Sequence, residues 1–191
     1  MKKIGILALQ GDYLLHQQTL EKINQDWILV RTKEELKECD ALIIPGGEST
    51  TIRKLASENG LFEAVRKFGK EKPIMGTCAG LILLANEIQD SKEEETLGLL
   101  DVAIKRNAYG RQIHSFVQTG KVNLENGNPN FEMVFIRAPK IVEVGKKVEK
   151  LGFCEDEVVM VRDRNILGLA FHPELTSDTR IHQYFINQFL N

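Results

Sequence analysis

The sequence predicts an α/β fold, a doubly wound and mostly parallel sheet flanked by helices. Two observations carry this. Short apolar runs at Ile4–Leu9, Ala41–Ile44, Ile74–Met75 and Ile166–Phe171 read as strands buried on both faces, as in parallel sheets covered by helices. Helical patterns lie between these runs, and the alternation of strand and helix is the mark of βα architecture.

The first run opens the chain and faintly imitates a signal peptide. Gln10, Gly11 and Asp12 then break it without a small-residue cleavage site, so a first β-strand is the better reading. Residues 13–24 follow with Leu14, Leu15, Leu20 and Ile23 at helical spacing, and residues 50–69 with Ile52, Leu55, Leu61, Phe62, Val65 and Phe68. Another helical stretch begins at Leu81-Ile82-Leu83-Leu84, and Ile181, Tyr184, Phe185 and Phe189 share one helical face at the end. Between residues 102 and 161 the pattern changes to short, partly alternating stretches such as Val102–Ile104, Met133–Ile136 and Val158–Val161. Turn signals at Asn126-Gly127-Asn128-Pro129, Gly145 and Gly152 divide them. We read these as strands and hairpins added to one edge of the sheet, so that residues 1–191 form one domain. Glu93-Glu94-Glu95 reads as a solvated surface loop.

Apolar residues make up 42% of the 191 and charged ones 27%, and the formal net charge is -2. A chain of this size can bury a single large core, and so small a charge gives no general attraction for nucleic acid or an acidic membrane. No apolar run reaches the ~20 residues of a membrane helix. Cys39, Cys78 and Cys154 are odd in number and lack metal-ligand spacing. They argue against a disulfide framework or zinc cluster and for a reducing compartment, by default the cytoplasm.

The sharpest chemical signal is Gly76-Thr77-Cys78-Ala79-Gly80. It sits between a strand and a helical run, the setting of a nucleophile elbow with cysteine in the serine place. Small residues let the backbone turn tightly there, and the positive end of the following helix favours thiolate over thiol. A nucleophilic cysteine needs a base, and the base an orienting group. Of the four histidines, only His172 directly follows an apolar strand, at the carboxyl end where open α/β sheets bind ligands. In Phe171-His172-Pro173-Glu174, extended backbone would project residues 172 and 174 to the same side. His16, His114 and His182 read as surface or packing histidines. The loop Pro45-Gly46-Gly47-Glu48-Ser49-Thr50-Thr51 follows a strand, and its glycines let main-chain N–H groups approach a reacting centre. With the Ala79 N–H, it could form an oxyanion hole. It could equally hold phosphate or turn the chain, but no nucleotide-binding glycine motif is present.

Together these segments resemble the class I, triad-type glutamine amidotransferases, whose fold is flavodoxin-like. Leu9-Gln10-Gly11, the loop at 45–51, the elbow, Arg106-Asn107-Ala108-Tyr109-Gly110-Arg111-Gln112, Phe135-Ile136-Arg137-Ala138-Pro139 and Phe171-His172-Pro173-Glu174-Leu175 narrow the resemblance to the glutaminase subunits of pyridoxal 5′-phosphate synthases. The blocks at 106–112 and 135–139 are the specific ones, since other amidotransferases share the elbow and the His-Pro-Glu.

The resemblance implies that the chain releases ammonia from L-glutamine and passes it to a separate barrel-shaped synthase subunit within a large hetero-oligomeric complex. Cys78 would be the nucleophile, His172 the acid/base and Glu174 the orienting carboxylate. Gly47, Glu48 and Ser49 would hold glutamine, Gly47 and Ala79 would form the oxyanion hole, and Arg106, Ile136 and Arg137 would complete the substrate site. Read without the resemblance, Arg106, Arg111 and Arg137 are solvated surface charges. No metal or organic cofactor is implied, pyridoxal phosphate being the product of the complex. Docking is expected to set the Gly46-Gly47 peptide. The chain departs from the family at Leu15, where a glutamate often precedes the histidine. A glutaminase serving another synthase, a cysteine hydrolase acting without a partner, and a non-catalytic assembly subunit are the rival readings.

Overall fold

The computed structural model describes residues 2–91, 93–106, 115–124 and 129–190. Five parallel strands form one half of a nine-stranded sheet: β1 (Ile4–Leu7), β2 (Trp27–Val30), β3 (Ala41–Ile44), β4 (Ile74–Thr77) and β12 (Ile166–Leu169), in the order β2-β1-β3-β4-β12. Every residue of β1, β3, β4 and β12 is buried, which is why their sequences are apolar without alternation. The edge strand β2 is only partly covered. The strand order reverses at β1, whose neighbours are β2 and β3, so the carboxyl ends of β1 and β3 frame a crevice at a topological switch point.

The helices connecting the strands are α1 (Tyr13–Lys22), α2 (Lys33–Lys37), α3 (Ser49–Glu58), α4 (Leu61–Glu71) and α5 (Ala79–Leu84), with α6 (Arg180–Phe189) closing the chain. The helical pattern at 50–69 is two helices. Gly60 takes a left-handed φ of 68° and the Asn59 side chain accepts a hydrogen bond from Leu61 N–H at 3.0 Å, a chain reversal that glycine adopts without steric cost. Ile181, Tyr184 and Phe185 of α6 are buried as their spacing implies.

The middle of the chain divides in two. β11 (Glu157–Asp163), β10 (Glu149–Cys154), β7 (Ser115–Val122) and β8 (Asn130–Ile136) extend the main sheet antiparallel beyond β12, as the edge-strand reading expects. β6 (Leu100–Lys105) and β9 (Lys140–Val144) do not join them. They pair with β5 (Ala85–Ile88) in a separate three-stranded sheet. The reason is occupancy: β3 and β12 flank β4, and β11 covers the other side of β12. The apolar residues Leu100, Val102, Ile104 and Ile141 instead join the same continuous core as the main sheet. The last strand curls back. His172 N–H donates to the Val134 carbonyl at 2.9 Å, and Phe171 packs against Phe131 and Phe135 with ring centroids 5.9 Å apart. This closure brings the end of β8 to the end of β12.

Candidate active site

The crevice contains a cavity of about 400 Å³ at the carboxyl ends of β1, β3, β4 and β12. Cys78 and His172 line it with Gly47, Glu48, Ser49, Arg106, Ile136 and Arg137. These are all the residues expected to hold substrate, together with two of the triad. Glu174 lies behind His172, with its side chain wholly buried, and Ala79 is buried beside Cys78. The tract at 107–112 and His114 lie outside the described residues.

Cys78 occupies the turn between β4 and α5 with φ 49° and ψ -101°. That conformation is costly for any side-chain-bearing residue, on the order of 1–3 kcal/mol, and persists only where the surroundings impose it. The close packing of α5 on the sheet is one such constraint. A Cβ at Gly80 would stand 2.1 Å from the Ile44 carbonyl oxygen, so only glycine lets α5 approach β3. Cys78 N–H donates to the Leu169 carbonyl at 2.8 Å, and the thiol points toward the Ile136 carbonyl oxygen at 3.7 Å. As a first-turn residue of α5, Ala79 has an N–H without an intrahelical acceptor.

His172 Nδ1 is 2.7 Å from Glu174 Oε1. The contact arises from a different backbone than the extended one expected. Residues Pro173–Leu175 form a single 3₁₀ turn, with proline at its first position, where a fixed φ and a missing N–H are harmless. Burial pulls the His172 pKa down, but Cys78 and Glu174 together outweigh it and raise it to about 10. The imidazole is therefore a proton carrier at neutral pH, with Nε2 buried and free of a hydrogen bond. Asp12 Oδ2 is the second carboxylate near Nδ1, at 3.8 Å. Asp12, His172 and Glu174 bring potential metal ligands within 4.8 Å of one another, but Nδ1 is already committed to Glu174.

The glycine loop is fixed from behind. Asp12 N–H donates to the Gly46 carbonyl at 3.0 Å, and Glu48 N–H donates to Gln10 Oε1 at 2.8 Å. In a trans peptide the Gly47 N–H must point opposite to the Gly46 carbonyl, so a flip of this peptide would break the Asp12 bond. The Glu48 carboxylate caps α3, accepting from Thr50 N–H at 3.2 Å and from Thr51 N–H and hydroxyl, each at 2.6 Å. The Thr51 hydroxyl bond leads the causes that hold its pKa below the usual carboxylate range, against the opposing effect of burial. Its side chain is thus committed to the helix.

Arg106 is not a solvated charge. Its Nη2 lies 2.5 Å from Glu94 Oε1, which is also 3.7 Å from Arg53 Nε. Glu94, read as part of a surface loop, has a side chain only 11% exposed. Glu93 and Glu95 are exposed. Arg137, with φ 42°, makes no ion pair among the described residues. Sequence reasoning also missed Gln10, Asp12 and Ile82 as cavity-lining residues. The Gln10-Gly11-Asp12 break after β1 was the available signal for the first two.

A buried thiol, a proton-carrying imidazole with an orienting carboxylate, free amides and two arginines can attack and hydrolyse an acyl group on a small anionic substrate. Residues 6–191 match the SNO glutamine amidotransferase family. The chain belongs to that family. It is 48% identical to the pyridoxal 5′-phosphate synthase subunit PdxT of Koribacter versatilis, over 99% of this chain and 96% of that one. It is 49% identical to the subunit of the same name from Brevibacillus brevis, over 97% and 96%. A solved glutamine amidotransferase superposes with a TM-score of 0.91 at 46% identity, covering 96% of this chain and 97% of the other. For this member of the SNO family, the α/β fold with added antiparallel strands is therefore that of glutamine amidotransferases.

Proposed function

We propose that this chain is the glutaminase subunit of a pyridoxal 5′-phosphate synthase. It hydrolyses L-glutamine to L-glutamate and ammonia and delivers the ammonia to a synthase subunit. The observation that carries the chemistry is the Cys78–His172–Glu174 arrangement opening into a cavity with arginines on its wall. Near-full-length identity of almost half to subunits of that name supports the pathway.

In the proposed mechanism the Cys78 thiolate attacks the side-chain amide carbon of glutamine. The oxygen of the tetrahedral intermediate accepts from the Gly47 and Ala79 N–H groups. A lost donor of this kind costs on the order of 10²–10³ in rate. Protonated His172 gives its proton to the departing ammonia, leaving a glutamyl thioester, and then takes a proton from the water that hydrolyses it. Glu174 holds the imidazole in register throughout. Arg106 and Arg137 take the substrate α-carboxylate, to which a guanidinium fork is matched. The backbone of Gly47, Glu48 and Ser49, with Ile136, completes the fit. Residues 1–191 act as one domain, with no metal or organic cofactor, in the cytoplasm, docked to a barrel-shaped synthase in a large hetero-oligomeric complex. Among the described residues no helix is long and apolar enough to cross a membrane.

The test is glutamate production from glutamine, with and without the cognate synthase subunit, for wild type and Cys78→Ala. Activity that rises with synthase and vanishes in the variant supports the whole reading. Activity indifferent to the synthase would move the chain to another amidotransferase. Activity surviving in Cys78→Ala would overturn the mechanism.

A further inference from the structure

Behind the proposed triad lies a second row of polar side chains that the mechanism above does not use. His16 on α1 and His182 on α6 are both fully buried. His16 Nδ1 is 2.9 Å from His182 Nε2, and His16 Nε2 is 3.2 Å from Thr77 Oγ1 and 3.5 Å from Glu174 Oε2. Glu174 Oε2 makes no hydrogen bond, and neither does His182 Nδ1. Fully buried polar groups of this kind are expensive unless they serve each other.

The proton positions follow from the carboxylate. One proton lies between the two imidazoles, and it belongs to either His16 Nδ1 or His182 Nε2. If His16 Nδ1 carried it, neutral His16 would turn the Nε2 lone pair toward the negative Oε2 of Glu174, and His182 would be left with a buried Nδ1–H lacking an acceptor. In the other arrangement His182 Nε2–H donates to His16 Nδ1, and His16 Nε2–H points at Thr77 Oγ1 and Glu174 Oε2. Only this arrangement directs a donor at the charge and leaves no orphaned N–H.

We propose that His16 is a positioning residue of the triad, a neutral imidazole whose Nε2–H, fixed by His182 and Thr77, holds Glu174 so that Oε1 faces His172. The inference rests on the triad reading above. His16 bridges the strand that carries the nucleophile, through Thr77, and the turn that carries the orienting acid. The groups facing it are Glu174 on the 3₁₀ turn, His182 on α6 and Thr77 on β4, with His172 and Asp12 close enough to act on its ionisation. Burial keeps it uncharged against the pull of Glu174, so it supplies a dipole and leaves the carboxylate its charge. A cation there would compete with His172 for Glu174.

The test compares wild type, His16→Leu, His16→Gln and Cys78→Ala as complexes with the synthase subunit. His16→Leu should lower kcat by about tenfold or more, since positioned acid–base groups contribute 10²–10⁴, with the KM for glutamine unchanged. It should also displace the pH profile of Cys78 alkylation by iodoacetamide. Peptide mass spectrometry assigns the alkylated residue, separating Cys78 from Cys39 and Cys154. His16→Gln, whose amide nitrogen can stand in for Nε2, should recover kcat to within about threefold of wild type. A folded His16→Leu with wild-type kcat and alkylation profile would overturn the proposal, as would a folded His16→Gln no better than the leucine variant. Nitrogen-15 NMR of the wild type decides it even if both variants misfold: His16 protonated on Nε2 supports it, and protonation on Nδ1 overturns it. Activity in Cys78→Ala would instead sink the triad reading, leaving the tautomer result to stand alone.

Discussion

The imidazole of His172 occupies the space that any side chain at Gly46 would need: a Cβ there would stand 2.3 Å from Cε1 and 2.9 Å from Nδ1. The loop glycine is therefore a steric requirement of the base as well as a source of backbone freedom. Gly46→Ala should push the ring off Glu174 while leaving the core untouched. A displacement of about 1 Å at such a site costs about 10² in rate. Glutaminase assays of the complex, with circular dichroism to verify the fold, should show that loss. Wild-type turnover in a folded Gly46→Ala protein would refute the packing argument.

The histidines also set how stability depends on pH. Burial lowers the His182 pKa from 6.5 to about 3, with Glu174 opposing, and burial lowers His16 as well. Both take up protons on unfolding below pH 6.5. The stability they give is thus complete above pH 6.5 and is lost as pH falls toward their folded values. His172 has the opposite sign: raised from 6.5 to about 10, it stabilises fully below pH 6.5 and loses that contribution as pH rises through 10. Glu174 and Asp178, held low against burial by His16, His172 and Arg180, act only below the ordinary carboxylate range. Between pH 6.5 and 5 the His182 contribution should fall by about 1.5 kcal/mol. Urea unfolding across that window, for wild type and His182→Gln, should show a shallower decline in the variant.

Glu94 stands between two arginines, and its loss should be felt at both. Glu94→Ala would remove the carboxylate that stands between Arg106 and Arg53, a change of about 1–3 kcal/mol for a partly buried charged contact. Arg106 should also lose its fixed direction in the cavity, so the KM for glutamine should rise while kcat holds. Chemical denaturation and steady-state kinetics on one preparation read both effects. A variant with unaltered stability and KM would mean that the ion pair is idle.

The parallel core and the elbow were legible because burial on both faces and a strand-to-helix turn leave local marks, as at Ala41–Ile44 and Gly76–Gly80. That β5, β6 and β9 form a sheet of their own left none. Strand partners are chosen by which edges remain free, and Val102 or Ile141 would look the same in either sheet. Glu94 misled for a related reason. A run of three glutamates reads as solvated, and only the fold brings Arg53 and Arg106 to the middle one. His16 and His182 are 166 residues apart, so no spacing rule could pair them. In each case the missing information was tertiary.

Glu48 offers the clearest separation of structural from chemical roles. The residue lines the cavity, yet its carboxylate accepts from Thr50 and Thr51 at the start of α3. A side chain so committed has little left for substrate, whereas its own N–H is already held by Gln10. Glu48→Ala should therefore cost about 1 kcal/mol, the usual loss for a helix cap, and leave the KM for glutamine within about twofold of wild type. Glu48→Asp, another capping carboxylate, should restore most of the stability. Thermal unfolding and glutamine titration of the three proteins distinguish the outcomes. A large rise in KM with unchanged stability would show that the carboxylate leaves the helix to meet the substrate.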